Sequence, residues 1–203
     1  EKRDWHYATA MMIAYTHRYP QEPWDVVALE KTFQGEILNP RTGARSRSFV
    51  LGGKADGVVS KPSGAMYLLE HKTAAAIGGD YVGKLWTDLQ IVLYSFYLRR
   101  FEKLPIEGVV YNVLAKPKLT QAQGETEEAF QTRAAELAAR NKSGKSSAQR
   151  RVPETDEEFQ ARLAAWYQEQ ERFLRVELVF DHDTYVMLQS ELWELTQQFL
   201  DAR

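Results

Sequence analysis

Cysteine is absent from the 203-residue sequence. Its absence excludes disulfide bonds, thiolate zinc sites, iron–sulfur clusters and cysteine nucleophiles, and it is typical of proteins from a reducing compartment. Any metal bound by this chain must therefore use oxygen or imidazole ligands.

Long apolar runs and a large charge of one sign are also missing. No segment approaches the roughly 18 consecutive apolar residues that a membrane helix needs, and no signal region opens the chain, so we expect a soluble protein without a membrane partner. The net charge of −2 argues against a uniformly basic nucleic-acid-binding surface, but it does not describe local patches. The sequence begins at Glu1 without a methionine, which favours a fragment of a longer chain or a start that precedes Glu1.

The length and the 44% hydrophobic content predict one domain over residues 1–203 with a single core. Apolar periodicity predicts, in order, a helix, three strands, a helix and a strand. This order predicts an α/β core in which a central mixed β-sheet is flanked by helices. The predicted elements after the first helix are strands at 25–38, 48–60 and 65–72, a helix at about 82–101, and a strand at 106–115.

Two similar segments follow Pro117, one from Glu125 and one from Glu154, offset by 29 residues. They predict two amphipathic helices joined by a flexible basic loop, and so a helical insertion over about 118–175. Thr155 followed by Glu158 has the spacing of a capping box. A strand and a final helix from about Asp183 complete the predicted chain.

The stretch GGKADGVVSKPSGAMYLLEHKTA, residues 52–74, contains two strand-like runs that each end in charged residues. A hairpin that pairs residues whose numbers add up to about 125 or 126 places Asp56 opposite Leu69 or Glu70. Because side chains alternate along a strand, Glu70 and Lys72 share one face, while His71 points to the other. Two adjacent carboxylates repel each other unless a cation lies between them, and Mg²⁺ or Mn²⁺ meets this need with oxygen ligands. A structural ion pair across the hairpin is the simpler alternative.

These residues resemble consecutive motifs of the PD-(D/E)XK nuclease superfamily, specifically its RecB-type exonuclease branch. The similar segments are KADG, LLEHKTA and LQIVLY, within about residues 26–114. The resemblance implies a restriction-endonuclease-like core and a Mg²⁺- or Mn²⁺-dependent hydrolase that cleaves DNA phosphodiester bonds. It also implies an exonuclease of DNA repair or recombination, in a bacterial or phage-encoded cytoplasmic protein, with repair or recombination proteins as partners.

The resemblance assigns a role to each matching residue. Asp56 and Glu70 bind the metal, His71 contributes only its main-chain carbonyl, and Lys72 assists the attacking water. Gln90 and Tyr94 correspond to the helical Q-x-x-x-Y motif, which holds the DNA end or the active site. The family's upstream histidine has no convincing counterpart in this sequence.

Two basic segments are candidate contacts to the DNA backbone. The residues concerned are Arg41, Arg45 and Arg47 in the first segment, and Lys142, Lys145, Arg150 and Arg151 in the second. Solvated surface loops are the simpler interpretation of both. Two other functions stay open: a non-catalytic DNA-binding or assembly domain that keeps the nuclease fold, and a sequence-specific endonuclease with the same chemistry.

Overall fold

The computed structural model describes the backbone of residues 2–202 and the side chains of residues 4–202. The chain divides into two compact units, one formed by residues 2–19 with Lys116–Gln170 and the other by Pro20–Ala115 with residues 171–202. The helices are α1 (Lys2–Arg18), α2 (Tyr81–Leu85), α3 (Leu89–Arg100), α4 (Glu127–Arg140), α5 (Asp156–Trp166) and α6 (His182–Asp201). The strands are β1 (Asp25–Leu38), β2 (Arg45–Ser60), β3 (Met66–Ala74), β4 (Ile106–Ala115) and β5 (Phe173–Leu178).

The fold is α/β, with an open five-stranded mixed sheet flanked by helices, as the sequence predicts. The strands lie in the order β1-β2-β3-β4-β5. Neighbouring strands are antiparallel except β3 and β4, which are parallel. A parallel pair requires a crossover connection, and the segment that contains α2 and α3 provides it.

The main core lies between α3 and one face of the sheet. Alternation along β2 and β3 buries Val58 and Leu68 against Ile91 and Val92 of α3, and all four side chains are fully enclosed. Strand β4 is buried along nearly its whole length, as expected for a strand inside a sheet with a parallel neighbour. The core therefore fixes where β2, β3 and the start of α3 meet.

The helix predicted over about 82–101 is interrupted. Helix α2 ends at Leu85, and α3 begins at Leu89 with Asp88 as its N-terminal flanking residue in extended conformation. The apolar stripe through Leu85, Leu89 and Val92 runs across the break, which is why periodicity alone predicts one helix. The break places Asp88 at the entrance to α3.

The two similar segments form a pseudo-symmetric pair within the first unit. Thr155 and Glu158 make the predicted capping box at the start of α5, whereas Thr126 caps α4 without a glutamate partner. In each copy a glutamate binds an arginine eight residues later through two hydrogen bonds. These pairs are Glu125–Arg133, at 2.5 and 3.0 Å, and Glu154–Arg162, at 2.7 and 2.8 Å.

Each glutamate of the pair also accepts a backbone hydrogen bond from the other copy. Glu125 accepts from the amide of Arg151 at 2.8 Å, and Glu154 accepts from the amide of Ala122 at 2.9 Å. Ala122 and Arg151 are themselves 29 residues apart, so the exchange is reciprocal. The repeat seen in the sequence is therefore a repeat of contacts as well.

Across residues 2–202, every helix is either too short or too polar to span a lipid bilayer.

Gly53 allows α3 to approach β2 closely, which gives a first prediction. A Cβ at this position would lie 2.5 Å from the Phe33 ring and 2.8 Å from the Tyr94 ring. We expect Gly53→Ala to lower the free energy of unfolding by about 1–3 kcal/mol, the usual cost of overpacking. Denaturant titration followed by circular dichroism measures the change.

Gly52 provides the matched control for this substitution. A Cβ there meets only the Phe33 carbonyl oxygen, at an ordinary 3.6 Å. Gly52→Ala should change the stability by less than about 0.5 kcal/mol. Equal stability of the two variants would contradict the close approach of α3.

Candidate active site

The register of β2 and β3 brings the predicted acids together. Gly57 pairs with Leu69 and Val58 pairs with Leu68, so paired residues have numbers that add up to 126. The same register carries Asp56 to the position of Glu70, as one of the two predicted registers requires. The two carboxylates are close enough for the charge of Asp56 to raise the pKa of Glu70.

Glu70 is the buried acid of this group, with only 8% of its side chain exposed. It lies on β3 between two neighbouring strands and is paired with Tyr111 of β4. Burial, together with the charges of Asp56 and Asp88, raises the pKa of Glu70 to about 7, although the ammonium of Lys72 opposes the shift. A carboxylate that titrates near neutral pH in such a setting is typical of functional sites.

Lys72 lies between two acids on the same face of β3 as Glu70. Its Nζ is 2.8 Å from Asp88 Oδ2 and 3.8 Å from Glu70 Oε1. Burial alone lowers the pKa of Lys72, but the hydrogen bond and charge of Asp88, with the charge of Glu70, leave that pKa raised. The side chain is therefore a fixed ammonium group, suited to stabilising negative charge rather than to accepting a proton.

His71 fixes the orientation of Asp56 through its backbone. The His71 amide donates a hydrogen bond of 2.9 Å to Asp56 Oδ2. Strand alternation puts the imidazole on the opposite face of β3 from Glu70, and burial lowers the pKa of the imidazole, while the charges of Asp56, Arg175 and Glu22 also act on it. A role for the His71 carbonyl as a ligand stays a prediction.

Sequence reasoning missed Asp88 and Tyr111. Asp88 holds the lysine at 2.8 Å, and its signal in the sequence is an N-cap residue type two positions before Gln90. The Tyr111 hydroxyl is buried and has no hydrogen-bond partner among the described residues, and burial and the charges of Asp88 and Glu70 raise its pKa. A buried polar group of this kind usually indicates a bound water or ligand. No motif points to it, because β4 reads as an ordinary buried strand.

Gln90 and Tyr94 lie one turn apart on α3, as predicted. Gln90 is exposed, directly after the Asp88–Leu89 helix start. Tyr94 is half-buried, and its ring contacts Phe33 edge-on with centroids 4.8 Å apart. Tyr94 therefore packs against the β1–β2 hairpin close to Gly53. Gly53 precedes Asp56 by three residues on β2. Part of its role is structural packing, while Gln90 is free to meet a ligand.

The donor set suits a hard dication as a partial site. Within residues 4–202, no three His, Asp or Glu side chains are arranged as a complete metal-binding cluster. Asp56 and Glu70 offer two carboxylates, and Mg²⁺ commonly keeps several waters and takes one or two protein carboxylates. The repulsion that raises the pKa of Glu70 is the interaction that a dication would relieve.

The predicted basic segment at 41–47 forms the tip of the β1–β2 hairpin. All three of its arginines are exposed, and Arg45 makes a 2.9 Å ion pair with Glu36. Among the described residues Arg41 and Arg47 make no ion pair. Arg45 precedes Asp56 by eleven residues on β2, which corresponds to about 35 Å of strand. These arginines therefore lie far from the acids.

The second basic segment lies in the first unit and is partly neutralised there. Arg150 donates to the Glu125 carbonyl at 3.1 Å and lies 3.6 Å from Glu127. The backbone amide of Arg151 donates a hydrogen bond to the Glu125 carboxylate. In contrast, Lys142 and Lys145 are exposed, and neither lysine has an acidic partner among the described residues. The two lysines are thus the more available cations of this segment.

The raised pKa of Glu70 predicts that the free energy of unfolding of the metal-free protein decreases as the pH rises. The folded state keeps the proton up to about pH 7, whereas the unfolded chain releases it above the ordinary glutamate pKa of 4.5. Stability is therefore full below pH 4.5 and is lost as the pH rises toward 7. Relative to the wild type, Glu70→Gln should gain about 1–3 kcal/mol between pH 4.5 and pH 8. Chemical denaturation in EDTA at a series of pH values measures this gain.

Asp88→Asn is the control for the electrostatic origin of this effect. Because Asp88 raises the pKa of Glu70, its neutralisation should move the pH-dependent loss to lower pH while leaving Glu70 in place. If the difference in stability between the wild type and Glu70→Gln is the same at pH 4.5 and at pH 8, the raised pKa of Glu70 is refuted.

The comparisons with known proteins assign no family. No protein-family model matches the chain, and no curated protein is significantly similar to it in sequence. The functional argument therefore depends on the chemistry of the site itself.

Proposed function

We propose that this protein is a Mg²⁺- or Mn²⁺-dependent deoxyribonuclease. The observation that carries the proposal is the buried Glu70 carboxylate, with Asp56 beside it and the Lys72 ammonium 3.8 Å away. A purely structural ion pair needs one acid and one base. Here the charges of two further acids, Asp56 and Asp88, act on Glu70 beside the single lysine, so the group has an excess of negative charge that a dication would balance.

Each residue of the group has a distinct task in phosphodiester hydrolysis. Asp56, oriented by the His71 amide, and Glu70 would hold the metal, with the His71 carbonyl as a further oxygen ligand. A bound Mg²⁺ or Mn²⁺ would neutralise these carboxylates and supply Lewis acidity toward a phosphate oxygen. Lys72, kept protonated by Asp88, is placed to stabilise the negative charge that develops on the phosphorus oxygens and to orient a water molecule.

The fold supports the proposal at a coarser level. The element order of helix, three strands, crossover helices and strand, with a mixed sheet, is compatible with a restriction-endonuclease-like core. The exonuclease assignment and a setting in DNA repair or recombination depend on the resemblance to the RecB-type branch. Gln90, exposed at the start of α3, is the residue proposed to contact the DNA end.

Activity on labelled linear double-stranded DNA with Mn²⁺ tests the function. Glu70→Gln removes a metal ligand at constant shape, and we expect a drop in rate of about 100-fold or more. The control is Glu107→Gln, the same substitution at an exposed position on neighbouring β4, which should retain the wild-type rate. If wild type and Glu70→Gln release label equally, the chain is not a nuclease of this type, and a non-catalytic DNA-binding domain becomes the better interpretation.

The same assay separates end-dependent from internal cleavage. Covalently closed circular DNA should stay intact while linear DNA of the same sequence is degraded. Discrete fragments from the circle would instead identify an endonuclease, with the metal-dependent chemistry unchanged.

The exposed lysines of the second basic segment should contribute to binding of the DNA backbone. Lys142→Gln with Lys145→Gln should weaken binding at low salt and reduce the slope of log affinity against log salt by about 1–2, because each neutralised phosphate contact releases counterions. Fluorescence anisotropy with Ca²⁺ in place of the catalytic ion measures both quantities. Lys116→Gln with Lys118→Gln removes the same charge from exposed positions of the same unit. An equal loss in the two double variants would show only a general charge effect.

A further inference from the structure

A cavity lined by residues other than Asp56 and Glu70 lies between the end of α3 and the start of α6. Its volume is about 440 Å³, within the range of roughly 300–1,000 Å³ in which small-molecule sites fall. Basic and aromatic side chains line it together. The basic residues are Arg99, Arg100 and His182, and the aromatic residues are Phe96, Phe180 and Tyr185.

The two arginines of this cavity have no acidic partner among the described residues. Their charge is met only by aromatic rings: the Arg99 guanidinium lies 5.6 Å from the Tyr185 ring centre, and that of Arg100 lies 5.9 Å from the Phe96 ring centre. Asp181, beside His182, is already occupied as the N-cap of α6, where it accepts from the Thr184 amide at 2.8 Å. The donors at the cavity are therefore available to an external anion.

Helix capping explains only part of this arrangement. Arginines are favoured in the last turn of a helix because they face its negative end. That preference does not explain why an imidazole from another helix converges on the same cavity, or why its floor is aromatic. Guanidinium groups are the side chains best suited to phosphate, since they donate in a planar fork.

The aromatic side chains form a fixed, apolar wall. Phe180 and Tyr185 are buried, and the Tyr185 hydroxyl is tied inward to Ser95 Oγ at 3.1 Å, so its ring rather than its hydroxyl lines the cavity. Trp86 stands at right angles to Phe180, with ring centroids 5.9 Å apart, and is 45% exposed. A ligand with a flat ring and a phosphate would satisfy both halves of the site.

We propose that this cavity binds a nucleotide, with its phosphate on Arg99, Arg100 and His182 and its base against the wall formed by Phe96 and Phe180. The nucleotide is either free or a unit of single-stranded DNA, since both present the same chemistry. The site is separate from Asp56 and Glu70, and the proposal does not depend on nuclease activity.

Calorimetric titration of the full chain in EDTA tests the proposal, with thymidine monophosphate, thymidine, inorganic phosphate and an oligothymidylate as probes. Thymidine monophosphate should bind more tightly than thymidine or phosphate alone. Arg99→Gln with Arg100→Gln should weaken its binding about tenfold or more, as expected for lost charged hydrogen bonds. Quenching of Trp86 fluorescence on binding, lost in Trp86→Phe, places the ligand at this cavity.

Lys116→Gln with Lys118→Gln is the control, because it removes the same charge from two exposed positions outside the cavity. It should leave the affinity for thymidine monophosphate unchanged. If the Arg99/Arg100 variant weakens oligothymidylate binding equally, the site accepts a strand. If it weakens only mononucleotide binding, the site accepts the free nucleotide.

Three results would overturn the proposal. These are no saturable binding of thymidine monophosphate up to about 1 mM, inorganic phosphate binding as tightly as the nucleotide, or equal affinity in the Arg99/Arg100 and control variants. Glu70→Gln separates this proposal from the nuclease proposal, because it should bind thymidine monophosphate like the wild type even where DNA cleavage is lost.

Discussion

The pairing of β2 with β3 is the constraint on which the candidate active site depends. Because side chains alternate along a strand, a shift of one residue would turn Asp56 away from Glu70 and separate the two carboxylates. The buried pairs Val58–Leu68 and Gly57–Leu69 hold the register, so the hydrophobic core determines the electrostatics. The unfavourable burial of Glu70 is tolerated because the core around it is well packed.

The placement of charge around Glu70 suits function better than stability. An acid with a pKa near 7 costs folding free energy at neutral pH, and replacing buried ionic groups by apolar ones is often neutral or stabilising. Lys72 does not cancel the cost, since it lies closer to Asp88 than to Glu70. Sites that bind a charged ligand commonly keep such a destabilising arrangement.

Sequence reasoning predicted the elements that have a clear period and missed features that depend on three-dimensional packing. Strand β1 begins and ends at the predicted residues, and the hairpin register follows from the apolar positions of β2 and β3. The break before α3 was missed because the apolar stripe continues through it, and with it the contact between Asp88 and Lys72. The sequence around Tyr111 does not indicate a site residue, because its hydroxyl is affected by charged residues on other elements, such as Asp88 and Glu70. The nuclease function itself stays a prediction.

The reciprocal contacts of the 29-residue repeat make its two copies interdependent. Each copy completes the other, because the backbone amide of Arg151 satisfies Glu125 and that of Ala122 satisfies Glu154. Loss of one copy would leave a glutamate of the remaining copy without its backbone donor. A substitution or deletion in one copy would therefore also weaken the hydrogen bonding of the other.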